Sequence, residues 1–251
     1  MVDDVIDRSD VRSGWSAYKV FGEGVSLLAA VLLKSSGSSL LAAALEKQTH
    51  FVNRLRAARE FEAMYLHVYT GQLLDILYEA SPIISERQYL RMIQLSTGGF
   101  LEDAAAIGST LSGAPDHVRT PLLDCARYTG VALQIYDDVL DLIPQPSRTK
   151  PFASDIKRRK KRLPLIHFLH NCPASEKREV DRIFRKRTIT EMDSKLIVEL
   201  LRHRGSIQYA VRRAEKLYSR ALFNASKITP PYLRELLVEL VGFIRPEEDP
   251  K

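Results

Sequence analysis

The hydrophobic positions of this chain repeat with the period of an α-helix along most of its length. The clearest stripe lies in the C-terminal part, where apolar residues recur at i, i+3, i+4 and i+7, namely Ile207, Ala210, Val211, Ala214, Leu217, Tyr218 and Ala221. No run alternates apolar and polar residues as a strand would, and no Asn-Gly pair indicates a hairpin. The pattern predicts an all-α fold, a single-domain bundle of long, mostly antiparallel helices over residues 1–251.

Capping residues predict where several helices begin. Ser85 with Gln88 forms a capping box before an apolar stretch. Thr120 before Pro121 predicts an N-cap followed by proline at the first helical position, and the helix that starts there is expected to end near Ile143.

Further signals mark helix ends and connections. Gly205 predicts the end of a helix over 195–204, and Ser206 predicts the cap of the next helix. A long helical stretch is expected over 39–79, with a break near Gly71. The predicted linkers are Ser35–Ser38, Gly113–Thr120, Pro144–Arg162 and Thr229–Pro231.

Composition narrows the class of protein. Hydrophobic residues make up 45% and charged residues 27% of the chain, as in soluble globular proteins. The apolar run Val25–Leu33 ends at Lys34 and falls short of the ~20 residues that span a bilayer, so no transmembrane segment is expected. The acidic start does not resemble a secretory signal peptide. Cys125 and Cys172 lack CxxC spacing, which argues against a disulfide framework or zinc site and favours a cytoplasmic location.

The charge is uneven along the chain. The 37 basic and 31 acidic residues give a formal net charge of +6, and one run, KRRKKR, carries much of the excess. We call this run the basic segment (Lys157–Arg162). Composition alone leaves four interpretations open, which are a solvated loop, a nucleic-acid patch, an anionic membrane surface and a phosphorylated substrate.

Two acidic clusters share one spacing. The first acidic cluster (Asp3, Asp4 and Asp7) lies in DDVID, and the second acidic cluster (Asp137, Asp138 and Asp141) lies in DDVLD. Carboxylates at i and i+4 share a helix face and repel each other by ~0.2–0.5 kcal/mol per pair. The second cluster is surrounded by apolar residues, so its carboxylates are expected to line a partly buried cavity.

A divalent cation would relieve this repulsion, because hard oxygen ligands suit Mg²⁺. A solvated acidic helix face is the alternative for one such cluster, but two copies in apolar helical surroundings favour a metal site. Since Mg²⁺ often binds one or two carboxylates together with substrate phosphates, two facing clusters predict a diphosphate site. Arg12, Lys150 and Lys160 are the candidates to neutralise the remaining phosphate charge. The basic segment is then partly a substrate feature, and no nucleic-acid partner is expected.

Six segments of the chain, in order, match the pattern of one protein family, namely DDVIDRSDVRSG, YTGQLLDILYEA, LSTGGFLEDAAAIG, GVALQIYDDVLDL, TKPFASDIKRRKKRLPLIHFL and RHRGSIQYA. On these segments the chain resembles the trans-isoprenyl diphosphate synthases, most closely the geranylgeranyl diphosphate synthase type. The resemblance implies an isoprenoid synthase bundle around a central cavity and a homodimer. Product length is left open, because in the family the residues just before the first acidic cluster set it.

The resemblance also implies a chemistry. Three Mg²⁺ ions, held by Asp3, Asp7 and Asp137 with help from the neighbouring aspartates, would bind an allylic diphosphate whose ionisation gives a cation that isopentenyl diphosphate attacks. The implied catalytic residues are Asp3, Asp7, Asp137 and Lys160. The implied metal ligands are Asp3, Asp4, Asp7, Asp137, Asp138 and Asp141. The implied substrate-binding residues are Arg12, Gln72, Thr97, Gln134, Lys150 and Lys160. The other members of the basic segment are expected to face solvent, namely Lys157, Arg158, Arg159, Lys161 and Arg162.

Four departures from the family pattern keep alternatives open. Only Met1 and Val2 precede the first acidic cluster, so the chain is expected to lack the N-terminal helices of the family. Ser13 and Ser96 replace an arginine and a lysine, and Ala30-Val31 replaces Gly-Asp. The losses affect isopentenyl diphosphate binding more than the metal site. They leave a synthase, a class I terpene cyclase that ionises one diphosphate, and a non-catalytic subunit of a heteromeric synthase as hypotheses.

Overall fold

The structure, a computed structural model, describes residues 1–11, 14–46, 50–144 and 151–244. For residues 243 and 244 it describes the main chain alone. Its helices are α1 (Val2–Ile6), α2 (Ala17–Glu46), α3 (Phe51–Glu79), α4 (Glu86–Ile93), α5 (Gly99–Leu111), α6 (Asp116–Leu140), α7 (Ser154–Lys157), α8 (Leu163–Asn171), α9 (Ala174–Phe184), α10 (Glu191–His203), α11 (Ser206–Ser226) and α12 (Pro231–Ile244). A π-helical turn (Gln94–Gly98) joins α4 to α5. Within the described residues no strand forms, and Val11 and Trp15 pair as an isolated antiparallel bridge. The all-α prediction is confirmed.

Helix α6 lies at the centre of the bundle, packed against α11, α5 and the π-helical turn. Glycines permit the approach to the turn, because a Cβ added at Gly130 would lie 2.7 Å from the Cα of Gly98 and 2.9 Å from the carbonyl oxygen of Thr97. Real Cβ atoms do not approach so closely. The polar end of the turn therefore lies directly against the helix that carries the second acidic cluster.

The stripe predicted on α11 is confirmed. Its residues are buried against α6 and α8, except for Tyr218, which is partly buried against the same core. The capping box of α4 is also confirmed, since the hydroxyl oxygen of Ser85 accepts a hydrogen bond from the backbone N–H of Gln88 at 3.2 Å. Gly205 has a positive φ of 65° after α10, as its predicted role at a helix end requires.

Two predicted helix starts are wrong. Helix α10 begins at Glu191, before the expected residue 195, because Thr190 and Asp193 form a second capping box. Helix α6 begins at Asp116, so Pro121 lies inside the helix. Pro115 is the extended N-cap residue, and the carboxylate of Asp116 in the first turn favours helix formation there. Helix α6 ends at Leu140, close to its predicted end.

Several boundary expectations in the first half also fail. The predicted linker over 35–38 lies inside α2, where the hydroxyl of Ser38 donates a hydrogen bond to the carbonyl of Lys34 at 3.2 Å. The long helix predicted over 39–79 is divided between α2 and α3, and residues 47–49 lie outside the described residues. Helix α3 continues through Gly71 without a break.

The remaining linker predictions have mixed outcomes. The connection between α11 and α12 includes the predicted residues 229–230. The linker predicted over 113–120 is shorter, since α6 begins at Asp116. The linker predicted over 144–162 contains the short helix α7, and its residues 145–150 lie outside the described part of the chain.

Helix α2 corrects the expectation that no segment resembles a membrane span. It has 30 residues and a mean hydropathy of 1.6 over its most apolar window, so its length and composition are sufficient to cross a bilayer. Core helices of soluble proteins meet the same criterion, but they are mostly buried, whereas the most apolar window of α2 is not. The search for one uninterrupted apolar run missed α2, because Lys34 and several serines interrupt the run without ending the helix.

Candidate active site

A polar cavity of about 310 Å³ lies between α1, α3, the π-helical turn, α6 and the segment that leads to α8. Its lining is mostly polar and includes carboxylates from four of the helices. The lining residues are Asp3, Asp7, Gly71, Gln72, Asp75, Met92, Ile93, Ser96, Thr97, Gln134, Asp137, Asp155 and Arg162. The cavity therefore brings together residues that are more than 150 positions apart in the sequence.

The first acidic cluster presents two of its three carboxylates to the cavity. Asp3 and Asp7 line the wall, and the Oδ1 atom of Asp3 accepts a 3.4 Å hydrogen bond from Nε2 of Gln72. Asp4 is buried and forms an ion pair with the amino group of Met1 at 3.2 Å. Because α1 is one short helix, residues four apart share its inner face while the intervening Asp4 points elsewhere.

Asp7 lies beside two cations of the basic segment. Its Oδ2 atom is 2.7 Å from Nη1 of Arg158, and its Oδ1 atom is 3.2 Å from Nζ of Lys160. Burial raises the pKa of Asp7, and the two cations lower it without cancelling the effect of burial. The carboxylate is thus held in a partly desolvated position where added positive charge would stabilise its ionised form.

The second acidic cluster presents one carboxylate to the cavity. Asp137 lines the wall. Asp138 is 2% exposed and accepts hydrogen bonds from the Tyr89 hydroxyl at 2.5 Å and from Nε2 of Gln134 at 2.9 Å. Burial raises the pKa of Asp138 to about 7, although Arg162 and these hydrogen bonds favour its ionised form.

Asp141, the last carboxylate of the second acidic cluster, forms hydrogen bonds with the start of α7. Its Oδ1 atom accepts a hydrogen bond from the Ser154 hydroxyl at 2.7 Å, and its Oδ2 atom accepts one from the backbone N–H of Asp155 at 3.0 Å. These contacts attach α7 to the end of α6. Asp141 therefore positions Asp155, which does line the cavity.

Lys160 is the buried cation of the site. Its side chain is 1% exposed, and its Nζ atom lies 2.6 Å from Asp75 and 2.9 Å from Glu79, in addition to Asp7. Burial lowers the pKa of Lys160, but Asp75 and Asp7 outweigh that effect and raise the pKa above its ordinary value. The lysine therefore stays charged, as a diphosphate-binding role requires.

The expectation that the rest of the basic segment faces solvent is wrong for four residues. Arg159 is partly buried and donates hydrogen bonds to the carbonyls of Phe184 and Lys186 at 2.9 Å and 2.5 Å. Arg158 pairs with Asp7, as described above. Lys161 is 3% exposed and donates hydrogen bonds to the carbonyls of Arg159 and Glu79 at 2.8 Å and 3.3 Å. Arg162 lines the cavity with its side chain 14% exposed. Sequence reasoning treated the run as a loop, but carboxylates of α1, α3, α6 and α7 pair with Arg158, Lys160 and Arg162 and hold them against the bundle.

The polar wall opposite the first acidic cluster comes from the π-helical turn. The Thr97 hydroxyl donates a 2.6 Å hydrogen bond to Oε1 of Gln134, and both residues line the cavity, as expected from the sequence. Ser96 also lines the cavity, and its hydroxyl donates to the carbonyl of Met92 at 3.2 Å. Ser96 provides no positive charge at this position.

The donor set of the cavity fits a hard divalent cation bound together with phosphate. Within the described residues no group of three or more His, Cys, Asp or Glu side chains is close enough to hold a metal by itself. Mg²⁺ usually takes one or two carboxylates, with phosphate oxygens and waters completing its octahedron. Asp3, Asp7 and Asp137 offer such carboxylates on one cavity. Arg12 and Lys150, also expected at this site, lie outside the described residues.

Comparisons with known proteins agree with this geometry. A family model described as polyprenyl synthetase matches residues 1–201. The chain belongs to the polyprenyl synthetase family. It is 30% identical to the geranylfarnesyl diphosphate synthase of Aeropyrum pernix, over 96% of this chain and 76% of that protein. It is 28% identical to the geranylgeranyl diphosphate synthase of Sulfolobus acidocaldarius, over 90% of this chain and 69% of that protein.

The fold of this polyprenyl synthetase family member matches solved structures as well. The geranylgeranyl pyrophosphate synthetase of Pyrococcus horikoshii superposes with a TM-score of 0.87 at 27% identity, over 98% of this chain and 74% of that chain. The isoprenoid synthase fold predicted from the sequence is therefore confirmed. Family membership also confirms that the chain is an enzyme of the isoprenyl diphosphate synthase class.

Four residues that shape the site in this family member were not predicted as site residues, although Asp75 lies in the segment YTGQLLDILYEA that carries the resemblance. Asp75 and Glu79 stand three and seven positions after Gln72, so they share a face of α3 with it. This spacing in the sequence is sufficient to predict that both carboxylates lie on the same helix face as Gln72. Arg162 and Asp155 gave no such signal, because their positions depend on how the segment after residue 150 folds back over α3 and α6.

Proposed function

We propose that this chain is a Mg²⁺-dependent prenyltransferase that condenses an allylic prenyl diphosphate with isopentenyl diphosphate to a longer trans-prenyl diphosphate. The observation that carries the proposal is the arrangement of Asp3, Asp7 and Asp137 on one cavity that also adjoins the buried cation Lys160. Carboxylates that repel one another around a cavity are expected where a diphosphate binds together with divalent cations. The names of the relatives, which are synthases of geranylfarnesyl and geranylgeranyl diphosphate, support the same reaction class.

The residues of the cavity can be assigned roles in this reaction. When bound, Mg²⁺ supplies Lewis-acid activation of the diphosphate leaving group, and Asp3, Asp7 and Asp137 would hold it. Lys160 supplies fixed positive charge near the leaving diphosphate, a form of preorganised electrostatic stabilisation. The bond between the allylic carbon and the diphosphate oxygen breaks with both electrons on oxygen. The double bond of isopentenyl diphosphate then forms the new carbon–carbon bond, and one proton is lost.

A terpene cyclase is the second candidate, and Ser13 is the observation that favours it. In the family this position carries an arginine that belongs to the isopentenyl diphosphate site. An enzyme that ionises a single diphosphate needs the two acidic clusters but no isopentenyl diphosphate site. A non-catalytic subunit is the third candidate, although a scaffold has no physical need for buried, mutually repelling carboxylates.

One incubation separates the three candidates. The purified chain is supplied with Mg²⁺ and labelled allylic diphosphates of different lengths, with and without isopentenyl diphosphate. A longer diphosphate supports the synthase, and a hydrocarbon or alcohol made without isopentenyl diphosphate supports the cyclase. Absence of turnover together with a changed rate in an added synthase supports the subunit.

Asp137→Asn tests the metal assignment within the same assay. The change keeps the size of the side chain but removes its charge, so we expect turnover to fall by at least about a hundredfold, as for loss of one group that stabilises developing charge. Asp116→Asn, at the exposed start of the same helix, is the matched control and should retain activity. Full activity of Asp137→Asn would contradict the proposed metal site.

We also propose that the enzyme is a cytoplasmic homodimer that buries the apolar face of α2. Val25, Leu28 and Leu32 lie at i, i+3 and i+7 on this helix and are 54%, 67% and 66% exposed. Such a stripe is unfavourable in water. The match to the solved synthetase covers 98% of this chain, which supports α2 as part of the bundle rather than as a membrane span.

A further inference from the structure

A continuous series of ion pairs connects the two acidic clusters along the wall of the cavity. Asp7 lies 3.2 Å from Nζ of Lys160, and the same Nζ lies 2.6 Å from Oδ2 of Asp75. The other oxygen of Asp75 lies 2.9 Å from Nη1 of Arg162, whose Nε is 3.6 Å from Asp138. The first cluster is thus linked to the second through alternating charges.

Arg162 is the point at which three helices meet. Its Nη1 atom faces Asp75 on α3, and its Nε atom faces Asp138 on α6 and Asp155 on α7, the latter at 2.8 Å. Arg162 itself immediately precedes α8. We call Arg162 with Asp75 and Asp155 the brace.

The planar guanidinium suits this role better than an ammonium group. Its nitrogen donors point in fixed, diverging directions, so one side chain can pair with carboxylates on two sides at once. A lysine has a single charged nitrogen on a flexible stem. Because Asp138 is 2% exposed, and an uncompensated buried carboxylate is strongly unfavourable, the arginine also compensates charge where water is excluded.

The brace is placed to control the geometry of the cavity. Asp137 adjoins Asp138 on α6 and lines the cavity, and Asp7 shares Lys160 with Asp75 and lines it from the other side. A shift of Arg162 would therefore change the positions of carboxylates in both acidic clusters. Arg162 already faces three carboxylates on three helices, so its guanidinium is held in place by the protein before any substrate enters.

We propose that Arg162 is a positioning residue which, through the brace, sets the separation of Asp7 and Asp137 and thereby the affinity of the cavity for a diphosphate bound with divalent cations. The inference rests on the proposed function, because it assumes that this cavity binds a metal–diphosphate complex. It assigns to the last residue of the basic segment a role that differs from direct neutralisation of phosphate.

The test measures binding rather than turnover. Isothermal titration with inorganic diphosphate in the presence of Mg²⁺ is carried out on the wild-type chain, Arg162→Lys and Arg162→Gln. Loss of a group that orients metal ligands typically lowers affinity about 10–100-fold, and we expect both variants to lose at least about tenfold. Arg182→Lys and Arg182→Gln are the matched controls, since Arg182 is an exposed arginine that pairs with Glu179 on α9.

The lysine variant separates positioning from charge. Arg162→Lys keeps the positive charge, so wild-type affinity in this variant would overturn the proposal. Asp75→Asn removes the charge at the other end of the brace and provides a second variant in case an Arg162 variant does not fold. Thermal unfolding shows whether each variant is folded. If the brace acts as a unit, Arg162→Lys should cost little further affinity in the Asp75→Asn background, whereas fully additive losses would overturn the proposal.

The wild-type titration distinguishes a failure of the role proposed for Arg162 from a failure of the proposed function. Binding by the wild-type chain with undiminished binding by Arg162→Lys removes only the role of Arg162. Failure of the wild-type chain to bind diphosphate with Mg²⁺ and to turn over any allylic diphosphate removes the proposed function, and the role of Arg162 with it.

Discussion

Gly71 allows the main chain of α3 to pack directly against the π-helical turn that forms one wall of the cavity. A Cβ added at this position would lie 2.7 Å from the backbone nitrogen of Ser96 and 3.0 Å from the carbonyl oxygen of Met92. Both obstacles are backbone atoms, so a side-chain rotation cannot relieve the contact. The glycine thus fixes how closely Gln72 and Ser96 approach each other across the cavity.

Gly71→Ala is therefore expected to destabilise the protein in spite of the better helix propensity of alanine. Overpacking of this kind costs about 1–3 kcal/mol, against a gain of about 1 kcal/mol from replacing glycine within a helix. Urea unfolding followed by circular dichroism measures the difference.

Gly108→Ala is the matched control for this substitution. Gly108 lies in α5, and an added Cβ there would meet nothing within 4 Å. We expect this variant to be as stable as the wild-type protein or more stable by up to about 1 kcal/mol. Equal stabilisation by both alanines would show that the close contact at Gly71 has no energetic consequence.

At the scale of the element, α10 illustrates how a local capping motif sets a helix start. Thr190 and Asp193 form a reciprocal capping box, and Lys186 adds an ion pair to Asp193 at 2.5 Å. The hydrogen bond from Lys186, followed by those from Thr190, lowers the pKa of Asp193 from its ordinary 3.8 to about 2. The ionised carboxylate is thus favoured in the folded helix.

This shift predicts a pH dependence with a definite sign. Because the pKa of Asp193 is lower in the folded state, its stabilising contribution is present above about pH 4 and is lost as the pH falls towards about 2. Asp193→Asn should be less stable than the wild-type protein near neutral pH, and the difference should shrink over that acidic range. Unfolding in urea at a series of pH values measures it.

Glu199→Gln serves as the control for this pH series, since Glu199 is exposed on the same helix. Its unfolding free energy should follow that of the wild-type protein at every pH. A difference between wild type and Asp193→Asn that stays constant down to about pH 2 would contradict the linkage.

At the scale of the whole molecule, the proposed dimer rests on the exposed apolar surface of α2 and α3. Large side chains on both helices are exposed, among them Phe21 and Leu28 on α2 and Leu66 and Leu73 on α3. Isologous dimers bury the same patch of both copies against each other, and such patches are characteristically apolar at their centre. Burial in the proposed dimer would remove this surface from water without a membrane.

The double variant Leu28→Glu with Leu32→Glu tests this assembly. We expect the wild-type protein to have twice the 28.5 kDa chain mass in solution, and the double variant to have the mass of one chain, because burying glutamates at the interface is unfavourable. Light scattering coupled to gel filtration measures both masses. Met192→Glu, at an 81% exposed position on α10, should remain a dimer. A monomeric wild-type protein that associates with lipid vesicles would favour a membrane role for α2 instead.

The sequence by itself determined the helical class, the α11 stripe and the capping box at Ser85, because these depend on interactions between residues a few positions apart. It also determined which residue types could bind a metal–diphosphate complex, since paired carboxylates and a lysine carry that chemistry wherever they meet. Helical periodicity alone could not separate Asp137 from Asp138, since residues adjacent on a helix differ only in the direction that packing gives them, and only the family resemblance singled out Asp137.

Only the tertiary structure decided which charges face one another. It turned Asp138 towards Tyr89 and left Asp137 on the cavity, because α6 is covered on one side by α4 and α8. It drew Lys160 and Arg162 inward, since carboxylates on α1, α3, α6 and α7 converge on the segment before α8. The pairings of Lys160 and Arg162 with Asp75 join residues 85 and 87 positions apart, and a local pattern carries no information about contacts at that separation.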